Sequence, residues 1–351
     1  VTLTPTAATP AAPARVLPAS LRRRRTVGLV VGVVALLLAV LASLAFGARV
    51  VGWQDVVAGV LHPDTSQIAQ AAVQSRVART VLGLLVGAAL GVGGAVLQGL
   101  TRNPLADPAL LGISSGASLA VVLGIMLLGL STLTQYVWLA FAGAALTSLL
   151  VYAIGSLGRE GATPLKLALA GAATTAALSS AISMVLLSRT DVLDTFRFWQ
   201  VGSLGRASLA EIGQLTPFLI VGAVLAVGSA RGMDAIALGD DVAVGLGQRV
   251  GLVRAAGGVA AVLLCGTAVA AAGPIGFVGL VVPHLARVLT GPGHRWLLPY
   301  SAVLGASLLL AADVVGRVVA RPQEVEVGIV TAVLGAPVFI AIIRRHKVRE
   351  L

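Results

Sequence analysis

Long stretches of this chain contain no charged side chain, and that feature restricts its fold more than any other. Residues 80–97 carry no charge, and neither do residues 108–130. An apolar run of about 20 residues is long enough to cross a bilayer as a helix. In lipid a helix satisfies its backbone polar groups within its own segment. Ten runs of this kind can be drawn, with cores near 27–48, 80–100, 109–130, 137–157, 167–188, 210–229, 251–272, 275–290, 297–316 and 327–343. The expected fold class is therefore an all-α integral membrane protein of about ten transmembrane helices.

Composition points the same way. Apolar residues make up 57% of the 351 and charged residues 11%, where a soluble domain carries about 25% charged residues. The 42 glycines suit helices that approach closely in lipid, where small residues replace the hydrophobic effect as the means of association. The formal charge of +11 does not call for nucleic acid, because the positive residues lie between apolar runs. With the N-terminus inside, 17 of the 25 Lys and Arg fall on the cytoplasmic side, as the positive-inside bias requires. Ten crossings then return the C-terminus to the cytoplasm. Cys265 is the one cysteine and lies mid-helix, so no intrachain disulfide forms. His62, His284, His294 and His346 are scattered and show no metal-ligand spacing.

The expected domain organisation is a disordered basic tail over 1–25, a membrane domain over 26–345 and a short basic tail over 346–351. The tail is rich in Thr, Ala and Pro and ends in Arg22–Arg25. A basic segment before an apolar core also describes a signal peptide, and ASLAFGA resembles a cleavage site. The run is nevertheless too long for a signal-peptide core and long enough to span. The run 275–290 opens with Gly273-Pro274 and is short, which predicts a tilted or broken helix.

Between the second and third runs lies QGLTRNPLADPALLGISSGA, residues 98–117. Pro104 and Pro108 remove backbone donors and push Asn103 and Asp107 towards extended conformations. The incoming helix must stop there and restart near Ala109. Gly83, Gly87 and Gly91 form a stripe on one face of the preceding run, the mark of a helix packed against a neighbour. Ser208 and Glu211 have capping-box spacing, so Glu211 is expected to be an end cap.

Residues 230–250, ARGMDAIALGDDVAVGLGQRV, form the longest cytoplasmic connection. The pattern suggests two short helices, over Met233–Leu238 and Asp241–Leu246, broken at Gly239 with Asp240 as N-cap. A helix lying on lipid prefers Lys and Arg on its polar face. Here that face is acidic, which favours docking of a soluble partner. The candidate docking residues are Met233, Leu238, Gly239, Asp240, Asp241 and Gly245.

Five stretches, in order, are similar to one family: the QGLTRNPLADP hinge, WQVGSL at 199–204, ALGDDVAVGLG at 237–247, GPIGFVGLVVPHLAR at 273–287 and VGIVTAVLGAPVF at 327–339. They resemble the FecCD-type permeases, the membrane subunits of binding-protein-dependent ABC importers for iron-siderophores, haem and cobalamin. One departure is Glu326, where the family usually has a proline two residues before the glycine of the last motif. The resemblance implies a bacterial inner-membrane permease that works as a pair, identical or related, and passes an iron-siderophore-type chelate between the copies. Cobalamin or haem is the alternative cargo.

The resemblance further implies two ABC ATPase subunits beneath the 230–250 loop and a binding protein outside. No cofactor is expected on this chain, and ATP is expected to be used by the partner. Lys166 and Lys347, the two lysines, lack the preceding glycine of a P-loop. By resemblance, Asn103 and Leu105 belong to a cytoplasmic gate; the residues alone also fit a purely structural turn. The topology puts Arg76, Arg79, Arg317 and Arg321 together on the outer side. The resemblance matches 76–79 and Arg317 to positions that pair with acidic residues of the binding protein. Ion-coupled secondary transport is the rival mechanism, and it needs an acid within the membrane. Asp313 is the clear candidate, although Arg317 four residues later predicts an ion pair instead.

Overall fold

A computed structural model describes residues 19–61, 67–130, 132–158, 163–205 and 208–347. Residues 1–18 and 348–351 of the two expected tails, and His62, lie outside the described residues. In chain order the helices are α1 (Ala19–Ala45), α2 (Trp53–Leu61), α3 (Ile68–Leu100), α4 (Ile113–Leu128), α5 (Leu133–Gly155), α6 (Pro164–Ser188), α7 (Thr190–Gln200), α8 (Leu209–Ile236), α9 (Asp240–Gly245), α10 (Val250–Ala272), α11 (Val278–Thr290), α12 (His294–Val319) and α13 (Val327–Lys347). No strand occurs among the described residues.

Seven of these helices (α1, α3, α5, α6, α8, α10 and α12) are long and apolar enough to cross a membrane, and α4, α11 and α13 are shorter apolar helices. Each coincides with one expected run. Residues 19–25, assigned above to a disordered tail, are instead the first turns of α1. The apolar run that follows extends the helix back through Arg22–Arg25, whose long side chains suit a helix end at a membrane surface.

The core is organised about α3, whose apolar span is 78% buried against 6% for α1. The glycine stripe makes this possible. A Cβ at Gly87 would stand 2.5 Å from the Gly305 carbonyl oxygen of α12, and one at Gly91 would collide with the Ser301 carbonyl. Gly94 meets the Gly279 carbonyl of α11 in the same way. Backbones therefore touch along this seam, the arrangement that small residues permit in lipid.

Several helix starts follow their local sequence. Ser208 Oγ accepts from the Glu211 amide at 3.3 Å, and Glu211 Oε2 accepts from the Ser208 amide at 2.6 Å. This is the reciprocal cap expected of that spacing. Thr163 caps α6, with Pro164 at the first helical position. The Gly273-Pro274 segment delays α11 until Val278, with Phe277 left-handed at its N-cap. Such a backbone is costly for an aromatic residue. Its side chain is accommodated against Gly335 of α13, where a Cβ would overlap it.

Candidate functional site

Polar chemistry gathers at the two ends of α3. At the hinge end, the helix closes as the Thr101 amide and hydroxyl both donate to the Leu97 carbonyl, at 3.0 and 2.7 Å. Arg102 turns left-handed with φ 49°. Asn103 Oδ1 accepts from the Leu105 amide, and Asp107 Oδ1 from the Ala109 amide, each at 2.9 Å. These side-chain turns satisfy the amides that follow Pro104 and Pro108. Pro108 opens a 3₁₀ turn, Pro108–Leu111, and Gly112 at φ 66° hands the chain to α4. Burial raises the Asp107 carboxyl above its usual range, opposed by the Ala109 amide. Asn103 thus holds the turn together, while Leu105 projects outwards, 39% exposed.

The hinge is ion-paired to the 230–250 loop. Arg102 contacts Asp240 Oδ1, and Arg254 of α10 contacts Asp240 Oδ2 at 2.9 Å. Two expectations for this loop are corrected. Residues 233–236 are not a separate helix but the end of α8. Asp240 is not the cap of α9 but its first residue; Gly239, at φ 118°, holds the cap position without a side chain. The Asp240 carboxylate is drawn to two arginines that local sequence does not reveal, though an acid in a first turn still favours the helix dipole.

Met233 is fully buried, which removes it from any contact surface. Ala243 tucks beneath α9 onto Ala235 and Ile236, with Val250 and Val253 alongside. That anchoring leaves Leu238, Val244 and Leu246 more than 60% exposed, with Val242 and Asp241 also exposed beside Gly245. Val242, Val244 and Leu246 were not singled out from sequence; their spacing alone does not show which side of so short a helix is anchored.

A cavity of about 450 Å³ adjoins the hinge, lined in part by Gln98, Arg102, His284, Arg287 and His294. Gln98 donates to the Leu280 carbonyl at 3.1 Å and accepts from Arg287 at 3.1 Å. The His294 amide and its Nδ1 both meet Asp234 Oδ1, at 2.8 and 2.6 Å. Polar contacts at this end therefore join α3 to α11, α8 to α12, and the hinge to α9 and α10.

At the far end, about 35 Å along α3 from Arg102 by helix rise, Asp313 is completely buried. Arg79 grips it with Nε at 2.9 and 3.1 Å and a terminal nitrogen at 2.7 Å. Arg317 completes the pair at 2.9 Å, as the four-residue spacing predicts. Arg317 also donates to the Ser43 carbonyl and hydroxyl at 3.1 and 2.8 Å. Arg79 reaches Glu324 at 2.5 Å. Arg76 donates to the carbonyls of Leu44, Ala45 and Arg49 at 3.0, 2.9 and 2.6 Å. It thereby closes the C-terminus of α1, where carbonyls otherwise lack partners.

The four arginines expected on one side do converge, but their exposure is corrected. Arg76, Arg79 and Arg317 are buried, because α3 begins at Ile68 and carries the first two inside the bundle. Arg321 remains exposed, with Nε 3.0 Å from the Gly47 carbonyl. Ser43 and Glu324 were missed from sequence, since neither carries a local signal. Asp313, held by two guanidinium groups, is a structural acid in this arrangement.

Three of the resembling stretches also meet at this end. The Ser203 amide donates to the Ala272 carbonyl at 2.7 Å, a Cβ at Gly202 would stand 2.6 Å from the Pro274 carbonyl oxygen, and the Gly328 amide donates to the Gly202 carbonyl at 3.2 Å. The Glu326 backbone carbonyl is the first acceptor of α13, taking the Ile329 amide at 3.0 Å. A carboxylate in place of proline is compatible with that helix start. Among the described residues no group of three or more His, Cys, Asp or Glu is placed to hold a metal ion.

Comparison with known proteins places the sequence and the fold among transport permeases. The ferric enterobactin transport system permease protein FepD of Escherichia coli is 43% identical over 311 residues, covering 88% of this chain and 92% of that protein. The Fe(3+)-citrate import system permease protein YfmD of Bacillus subtilis is 38% identical over 334 residues, covering 93% and 98%. A solved metal-chelate type ABC transporter in an inward-facing conformation has a TM-score of 0.77 at 27% identity, covering 90% of this chain and 98% of that one. With its long apolar helices, the chain is a multi-pass inner-membrane protein. The FecCD transport family matches residues 35–345, and the chain belongs to that family.

Proposed function

We propose that this chain is the permease subunit of a binding-protein-dependent ABC importer that carries an iron-siderophore-type chelate into the cytoplasm. The observation that carries the reading is the Arg102–Asp240–Arg254 bridge. It ties the hinge to α9, in and around which Leu238, Val242, Val244 and Leu246 stand exposed. Those exposed apolar side chains suit a soluble partner that must move the hinge, and an ATPase pair is the partner the reading supplies. The seven long and three shorter apolar helices serve as ten crossings with both termini in the cytoplasm. Two copies of the chain, or one copy with a related permease, enclose the pathway. Leu105, projecting from a turn fixed by Asn103, narrows its cytoplasmic end, and Arg321 meets the binding protein outside. The cargo class is taken from the ferric enterobactin and ferric citrate permeases. The chain binds no cofactor of its own, and the partner consumes the ATP.

The test is reconstitution. The purified chain should hydrolyse no ATP, and should gain both hydrolysis and ferric-siderophore uptake when its ATPase and binding protein are added. Hydrolysis by the chain alone, free of contaminating ATPases, would end the proposal. Uptake that follows a proton gradient without nucleotide would transfer the function to secondary transport.

A further inference from the structure

We infer that the groove between α8 and the start of α12 is a binding site for one anionic phospholipid of the cytoplasmic leaflet. The leaflet rests on the orientation proposed above. The groove has a volume of about 400 Å³ and is lined by the cations Arg231 and Arg295 together with Val227, Gly228, Leu298 and Pro299, among others. Both guanidinium groups are exposed and have no hydrogen-bond or ion-pair partner among the described residues. The nearby acid, Asp234, meets the His294 amide and ring through Oδ1 and pairs with neither arginine. Two unpaired cations in one groove therefore lack an anion.

The flank of the groove says which kind of anion. Ile220, Val224 and Val227 are 57%, 65% and 66% exposed, and with Arg231 they recur at helical spacing on one face of α8. The track from Ile220 to Arg231 is about 16 Å long by helix rise, comparable to an acyl chain. A free anion has no use for that track, whereas a phospholipid fills both parts. Gly228 leaves open space at the junction, with nothing within 4 Å of an added Cβ. Pro299 has no amide hydrogen for the Arg295 carbonyl one turn earlier, so that carbonyl lacks its helical donor beside the groove. Basic pockets between membrane helices on the cytoplasmic side are the setting in which acidic headgroups bind.

The test uses the purified full-length protein, stripped in detergent and re-equilibrated with phosphatidylglycerol or phosphatidylcholine, with bound lipid read by native mass spectrometry. The wild type should retain phosphatidylglycerol in preference. R231Q with R295Q should weaken retention by about fivefold per arginine and about 25-fold for the pair. Gly228→Leu should also lower retention with both arginines in place, by filling the groove.

Equal retention of the two lipids, or no loss in the double variant, would overturn the site. So would displacement of the lipid by millimolar inorganic phosphate, which would mark a free-anion site. Disulfide trapping of two copies through Val224→Cys would show the face to be a contact between copies and would also overturn it. Lipid retention needs neither ATPase nor binding protein, so its failure leaves the importer reading intact, and failed transport leaves the groove intact.

Discussion

Replacing Asp313 with Asn tests the far-end network directly. The substitution keeps the shape and removes the single charge that separates two buried guanidinium groups. Their side chains are 10% and 2% exposed, so water offsets little of the repulsion that remains. Removing one partner of a buried ion pair costs about 3–5 kcal/mol. Arg79 keeps Glu324 at 2.5 Å, and Arg317 keeps both oxygens of Ser43. These retained partners place the expectation at the lower end, about 3 kcal/mol, or about a 150-fold shift in the unfolding equilibrium. Equilibrium unfolding in mixed micelles, followed by tryptophan fluorescence, reads this shift. Replacing Asp313, Arg79 and Arg317 together with Leu, Met and Leu should restore most of the loss, because the one charge left without its partner, Glu324, is 36% exposed and open to water. The folded fraction of Asp313→Asn should still import with ATP and ignore collapse of the proton gradient. Stability within about 0.5 kcal/mol of wild type, which is the scale of a neutral surface change, would refute the network as described. Uptake that lost its gradient dependence only in the variant would refute the structural role of the acid.

Three further outcomes follow from the same geometry. Asp240→Ala should leave membrane insertion and stability nearly unchanged, since partly exposed ion pairs contribute about 0–1 kcal/mol, yet lower co-purification of the ATPase; undiminished co-purification would count against the α9 surface. Gly94→Val should destabilise by about 1–3 kcal/mol through its contact with the Gly279 carbonyl, whereas Gly213→Ala, facing open space in α8, should be neutral or stabilising by up to about 1 kcal/mol; unfolding of the two side by side checks the seam. Arg321→Glu should slow binding-protein association and flatten its salt dependence, while Arg76→Glu and Arg79→Glu should instead reduce the yield of folded protein; stopped-flow association and expression levels separate the two effects.

The apolar runs were legible because lipid imposes one rule on every spanning helix, and the sequence obeys it locally. The hinge and the Ser208–Glu211 cap were legible for the same reason, since proline and capping chemistry act within four residues. The start of α3 was not. Residues 68–79 mix Gln, Ser and Arg into the helix, so hydropathy ends near Thr80 while the helix runs back to Ile68. What sustains it is tertiary: Val73 and Gln70 pack beneath α2, and both arginines find partners on other helices. The amphipathic α7 was likewise unread, because Val192, Phe196 and Trp199 are too few to mark a helix until their burial is seen. Asp240 shows the limit most clearly. An acid after glycine reads as a cap, and the residue that claims its side chain, Arg102, lies 138 positions away.

The placement of the polar groups bears on how the ends communicate. Between Gly87 and Gly94 the buried face of α3 meets α12 and α11 through glycines and carbonyls, backbone against backbone. A seam of that kind has no soft layer in which a displacement could be absorbed, since close-packed interiors deform little. At the near end of α3, Arg102 joins the chain to α9 through Asp240, and at the far end Arg79 joins it to Asp313 and Glu324. The charged network at the far end is therefore better understood as a fastening of α3 to α12 than as a site of chemistry. Arg79 reaches both oxygens of Asp313 and Arg317 one of them, so a buried carboxylate is matched by two guanidinium groups, one of which has Glu324 as a second acid.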